Sequence, residues 1–177
     1  TGNVDVADVV CAVNAAFNDY AACTAGSVGA ASVAPASLSL APAAQVDGLA
    51  SVPVILAGAG NKVGAVGFSL FLDPARVQFD PTDADADGLP DAVVVNLPGG
   101  LLKMATWDAE SAVLKVAIAG ISLPIAPFAD GPVATVLVTS VDGSDALKLI
   151  DASAGDVEGF SVPVKINWQD PIGAMQH

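Results

Sequence analysis

Between Asp83 and Asp91 the chain reads DADADGLPD. Asp83, Asp85 and Asp87 alternate, Gly88 takes the sixth position of the run, and Asp91 the ninth. Carboxylates gathered this closely repel one another unless a cation lies among them. Ca2+ takes about six to eight hard oxygen ligands and needs a glycine where its loop turns sharply. The spacing therefore asks for calcium, with Asp83, Asp85, Asp87 and Asp91 as carboxylate ligands and Leu89 giving its carbonyl at the seventh position. The twelfth position is Val94 instead of a bidentate acid, so Asp91, water or Asp80 must complete the shell. That departure fits a shorter, extracellular-style loop of weaker affinity. The alternative is an acidic solvated turn that holds no ion.

Other chemistry finds little support, and the chain is not expected to be an enzyme. The single histidine, His177, is the last residue. Glycoside hydrolysis would need two acids facing one another across a cleft, whereas the acids here lie on turns or share the calcium-like loop. No glycine-rich phosphate cradle is present. Cys11 and Cys23, the two cysteines, suit a disulfide in an oxidising compartment, with a pair of reduced buried thiols as the alternative. Such a bridge would contribute on the order of 3 kcal/mol in the chain-entropy picture. Trp107, Trp168 and Tyr20 are the rings that could stack on a sugar, because the phenylalanines at 68, 71, 79 and 160 fall on strand patterns where core packing is the expected role.

The elements that must position the loop are strands. In Gly64 to Asp73, Val66, Phe68, Leu70 and Leu72 fall on one side of an extended chain, and Ala65, Gly67, Ser69 and Phe71 on the other. Similar short runs follow at 37–41, 50–57, 76–79, 92–96, 101–107, 112–119, 133–139, 147–150 and 160–168. Turn clusters separate them, including Asp47-Gly48, Asp73-Pro74, Pro98-Gly99-Gly100, Asp108-Ala109-Glu110 and Asp142-Gly143-Ser144. Pro53 cannot donate to a ladder, which predicts an edge position or a bulge there. So many strands without an intervening helical pattern predict a mainly β protein, an antiparallel sandwich of about nine strands.

The first residues differ. Val6, Val9, Val10, Val13 and Phe17 recur at three- and four-residue spacing behind Asp5 and Asp8, which predicts one N-terminal α-helix. The expected organisation is a helical segment over 1–24, a linker over 25–36, a sandwich over 37–168 and a polar tail over 169–177. With 53% hydrophobic and 14% charged residues the chain is too apolar for disorder, and no run approaches the roughly 18 to 20 apolar residues that cross a bilayer. Six basic against nineteen acidic residues give a net charge of −13, which repels nucleic acid and anionic lipid. No signal peptide is visible, and Thr1 begins inside a motif, so residues upstream of it are expected to have been removed.

Two resemblances sharpen these expectations. The run VPVILAGAGNKVGAVGFSLFLDPARVQF, with LKVAIAG, GPVATVLV and GFSVPV further on, resembles a cohesin domain over roughly Ala34 to Trp168. That resemblance implies a jelly-roll sandwich presenting one face to a calcium-loaded dockerin helix pair. The words GNVDVADVV at the start resemble the second half of a dockerin calcium loop. On that match Gly2 is the turn glycine, Asn3 offers its carbonyl, and Asp5 and Asp8 stand at the ninth and twelfth positions. The first four loop positions would precede Thr1, so a helix with acidic capping residues stands beside the metal reading.

Together these features predict a secreted or cell-surface, calcium-stabilised module for protein-protein scaffolding or adhesion. Its partner would be a dockerin-like helix in another protein or another copy. One alternative is a subunit of an extracellular fibre, a homo-oligomer joined head to tail through helix and sandwich. The other is a carbohydrate-binding module presenting Trp107 or Trp168 to a polysaccharide.

Overall fold

A computed structural model of the chain describes residues 34–46, 48–140 and 146–167. Asn3, Asp5, Asp8, Cys11, Cys23, the N-terminal helix pattern, the 142–144 turn, Trp168 and the tail lie outside the described residues, as does nearly all of the linker. Twelve strands are present among those described: β1 Ala36–Leu40, β2 Ala44–Val46, β3 Leu49–Ala57, β4 Val63–Leu72, β5 Val77–Gln78, β6 Val93–Val95, β7 Leu101–Asp108, β8 Val113–Gly120, β9 Gly131–Ser140, β10 Leu147–Asp156, β11 Ser161–Val162 and β12 Val164–Asn167. The count exceeds the expectation because β2, a ladder of three residues, falls outside the runs read from the sequence and the 160–168 run forms two strands, β11 and β12.

The strands form two sheets. One runs β12-β1-β3-β9-β5, with β2 also on β3 and β6 also on β9, and the other runs β11-β10-β4-β8-β7. The alternation read from the sequence of β4 is what builds the core. Val66, Phe68, Leu70 and Leu72 face inward with Leu114, Val116 and Ile118 of β8, and meet Leu38, Val54, Leu56, Val133 and Val136 of the opposite sheet. Burying branched side chains from both inner faces provides the main stabilisation, about 1.5–3 kcal/mol for each one fully buried.

Three local features differ from the sequence expectation, each for a backbone reason. Pro53 is not on an edge strand, since β3 lies between β1 and β9. Its carbonyl accepts the Ala41 N–H at 2.9 Å, so its nitrogen faces the side on which β1 has already ended, and a ladder irregularity follows between Val54 and Ile55. The closing 160–168 run is two strands instead of one. Pro163 interrupts it, leaving β11 on β10 in one sheet and β12 on β1 in the other. The β1–β12 pair is parallel, the one exception to antiparallel pairing among the described strands. β10 is also far longer than the expected 147–150, because its second half, DASAGD, pairs along β4 despite lacking large apolar residues.

The acidic loop belongs to the side of the sandwich. β5 and β6 both pair with β9, and the chain between them leaves that edge of the seven-stranded sheet, reaches the β7 edge of the other sheet, and returns. On the way it places Leu89, 3% exposed, into the core.

Candidate functional site

The loop is fastened to β7 from within. Gly88 accepts the Ala105 N–H on its carbonyl at 2.9 Å, and the Lys103 ammonium donates to Asp87 Oδ2. Gly88 has φ +92°, and a Cβ there would lie 3.0 Å from the Lys103 carbonyl oxygen. Glycine is therefore required twice, by the left-handed backbone and by the close approach to the strand. An edge strand of eight residues exposes unpaired donors and acceptors to any other extended chain, and the loop covers the middle of this one.

Of the predicted ligands the structure gathers three. Asp83, Asp85 and Asp91, all exposed, each offer one carboxylate oxygen, and these oxygens lie within 4.8 Å of one another. Oxygens bound at about 2.3–2.6 Å to one Ca2+ lie no more than about 5 Å apart, so these three residues fit such an ion. Backbone donors turn toward them: Asp87 N–H reaches Asp83 Oδ1 at 3.2 Å and Asp85 Oδ1 at 3.3 Å, Gly88 N–H reaches Asp83 Oδ2 at 3.2 Å, and Ala84 N–H reaches Asp91 Oδ1 at 3.2 Å. Asp91 is also held through its own N–H, which donates to the Thr82 carbonyl at 2.7 Å.

Asp87, predicted as a fourth carboxylate, does not join them. Its carboxylate takes the Lys103 ammonium and, at 3.0 Å, the Leu89 N–H. Those two hydrogen bonds, the lysine's first, hold its carboxyl below the usual aspartate range. Leu89 contributes a core side chain and that N–H. Asp80 stands apart as well, accepting the Thr82 hydroxyl at 2.6 Å and the Thr82 N–H at 3.0 Å, which lower its pKa in that order. Lys103 is the residue that sequence reasoning missed. Nothing in a strand sixteen residues further on marks it as the partner of Asp87.

Trp107 is not offered as a flat exposed ring. It lies on the inward-facing side of β7, half-buried against the core, with its ring centroid 5.0 Å from that of Phe79 at 50°. An edge-strand tryptophan covers the open side of the sandwich with apolar area that water would otherwise reach.

A second feature, unmarked by any motif, is the outer face of the five-stranded sheet. Strand register places Leu102, Met104, Thr106 and Asp108 of β7 beside Ala119, Ala117, Lys115 and Val113 of β8, and these beside Ala65, Gly67, Ser69 and Phe71 of β4. Ser153 and Asp151 of β10 continue the rows at Gly67 and Ser69. The middle is floored by small side chains, while Leu102 and Met104 remain 41% and 53% exposed. At one end the 121–130 loop turns back so that Ile125 covers Ala65 and Ala119. That loop is fixed by Phe128 N–H on the Val63 carbonyl at 2.6 Å and by Gly58 N–H on Asp130 Oδ1 at 2.7 Å.

No protein-family model and no curated protein matches the sequence. Solved structures do: a type II cohesin–X-dockerin complex from Acetivibrio cellulolyticus shares the fold at a TM-score of 0.55 and 11% identity, covering 75% of this chain and 95% of that one. The cohesin module of a family 33 glycoside hydrolase from Clostridium perfringens does so at a TM-score of 0.50 and 15% identity, covering 76% and 97%. The fold is thus a β-sandwich of the cohesin-like kind, as the strand words in the sequence had implied. The part of the chain that adopts it is the single two-sheet body described above, and among the described residues no helix is long and apolar enough to cross a membrane.

Proposed function

We propose that this chain is an extracellular, non-catalytic protein-binding module that takes a helical partner on the outer face of its five-stranded sheet. The observation that carries the reading is that face: a flat floor of Ala117, Gly67 and Ser153 bordered by the exposed Leu102 and Met104. Small side chains let a partner helix approach closely, and the two larger apolar residues give it area to bury. In support, a cohesin of the same fold is known in complex with an X-dockerin module. Ala117→Glu would place a carboxylate in the middle of the floor. Calorimetry against a panel of dockerin modules, with Ala117→Glu beside the unchanged chain, tests the reading. Loss of about two orders of magnitude in affinity in the variant is expected, given roughly 1–3 kcal/mol for a buried unsatisfied polar group and more for a charge. Equal binding by both proteins, or binding of no module by the unchanged chain, sinks it.

We further propose that the acidic loop holds Ca2+ through Asp83, Asp85 and Asp91. The ion would relieve the repulsion among three carboxylates and stiffen a loop that ties the two sheets together along one side. Lys103 would keep Asp87 out of the coordination shell while fastening the loop to β7.

A further inference from the structure

The outer face of the seven-stranded sheet lies on the far side of the sandwich from the face proposed above for a partner. It is nearly free of charge. β1, β2, β3, β5, β6 and β9 contain no acidic or basic residue, and Lys165 of β12, exposed at the rim, is the single charged strand residue of this sheet among those described. The side chains turned outward stand in rows, Ser39 beside Ile55, Pro53 beside Thr135, and Ser51 beside Leu137. Val94 extends the middle row and is 44% exposed. The Thr135 hydroxyl donates to Asn96 Oδ1 at 2.8 Å. A sheet face that stays in water normally presents polar and charged residues outward, as β7, β8 and β10 of the other sheet do with Asp108, Lys115, Lys148 and Asp151.

We infer that this face joins two copies of the chain in a symmetric, face-to-face pair. The charge distribution selects a second copy as the occupant. Each copy carries a net charge of −13, and its described carboxylates all lie in turns and loops or on the other sheet. Two such copies repel through any side that bears those acids, whereas here no carboxylate faces another. A basic partner would be drawn to the acidic loop instead. An uncharged face of hydroxyls and aliphatic groups is its own complement across a twofold axis. Area agrees with the pairing: seven strands of these lengths, at about 3.4 Å per residue and about 4.8 Å between strands, cover roughly 600 Å² per copy. A pair therefore buries about 1,200 Å², above the roughly 1,000 Å² that a specific interface needs. Lys165 falls at the polar rim of such a contact. The outer face of the five-stranded sheet points away from the contact in both copies.

Sedimentation velocity of the full chain from about 5 μM to about 500 μM tests this, a range suited to the weak end of specific interfaces. A monomer–dimer equilibrium is expected that tightens as NaCl rises from about 0.05 to about 0.5 M, because salt screens the repulsion between two acidic copies. Ser39→Glu with Ser51→Glu should weaken the pair at least about tenfold, as should Ser39→Lys with Ser51→Lys, and an equimolar mixture of the two variants should recover it, because opposite charges then face one another. Thr106→Glu, on the opposite outer face, should leave the equilibrium unchanged. A chain that stays monomeric throughout the range overturns the inference. So does a pair that loosens with salt, which would assign the contact to charge pairing, or one broken by Thr106→Glu. Urea midpoints of the variants are measured first, and if either double substitution unfolds the chain, the salt response and Thr106→Glu decide. No partner protein is present, so the outcome is separate from that of the calorimetry with Ala117→Glu.

Discussion

Gly88→Ala tests whether the acidic loop is shaped by its approach to β7. The left-handed backbone at φ +92° costs a side-chain-bearing residue roughly 1–2 kcal/mol. The new Cβ would also stand 3.0 Å from the Lys103 carbonyl oxygen, a backbone atom that moves only by shifting the strand. Relief of that contact lengthens the Ala105 N–H to Gly88 bond, worth about 0.5–1.5 kcal/mol net. Together these give roughly 2–3 kcal/mol. With a urea slope of about 1–3 kcal/mol/M, the unfolding midpoint should fall by about 1 M. Gly99 supplies the control, having φ +98° and no heavy atom within 4 Å of a built Cβ. Gly99→Ala should therefore show the backbone cost alone, a smaller shift by about 1 kcal/mol. Equal midpoints for the two variants would refute the close-approach argument.

Calcium should raise the melting temperature of the unchanged chain, by a stabilisation of about 2.7 kcal/mol at a hundredfold excess over Kd, and the variant carrying Asp83→Asn, Asp85→Asn and Asp91→Asn should show no calcium response in the same scan. Lys103→Met should raise the Asp87 titration midpoint, read by NMR, because the ammonium is the first cause of its depression. The sign for stability follows: a depressed folded-state carboxyl stabilises above its unfolded pKa, and that contribution is lost as pH falls through the folded value, so the variant should lose less stability on acidification below about pH 4. Leu70→Ala empties a fully buried site facing the opposite sheet and should cost about 2–5 kcal/mol in urea unfolding, whereas Thr106→Ala, on the exposed face, should stay within about 0.5 kcal/mol.

The parts of this protein that were legible in its sequence are those set by local periodicity and local turns. Alternation in β4 assigned Val66, Phe68, Leu70 and Leu72 to the core before any neighbour was known, since side chains one residue apart on a strand must face opposite ways. The Asp-Xaa-Asp spacing likewise brought Asp83 and Asp85 to one loop, because its ligands are only two residues apart. β10 shows the limit: DASAGD carries too little apolar contrast to read as a strand, and it is one only because β4 and β11 offer it ladders.

What sequence alone determined, then, is the sandwich of short strands with its inward-facing rows, the acidic turn, and an excess of negative charge. Tertiary structure decided the rest. It set Asp87 against Lys103 instead of beside Asp83, turned Trp107 inward onto Phe79, split the last strand at Pro163 between two sheets, and assembled an outer face of small residues from four separate strands. The physical reason is common to all four. Each depends on segments distant in sequence being brought side by side, and their placement is fixed by how the whole set of inward-facing side chains packs, which no local stretch of sequence specifies.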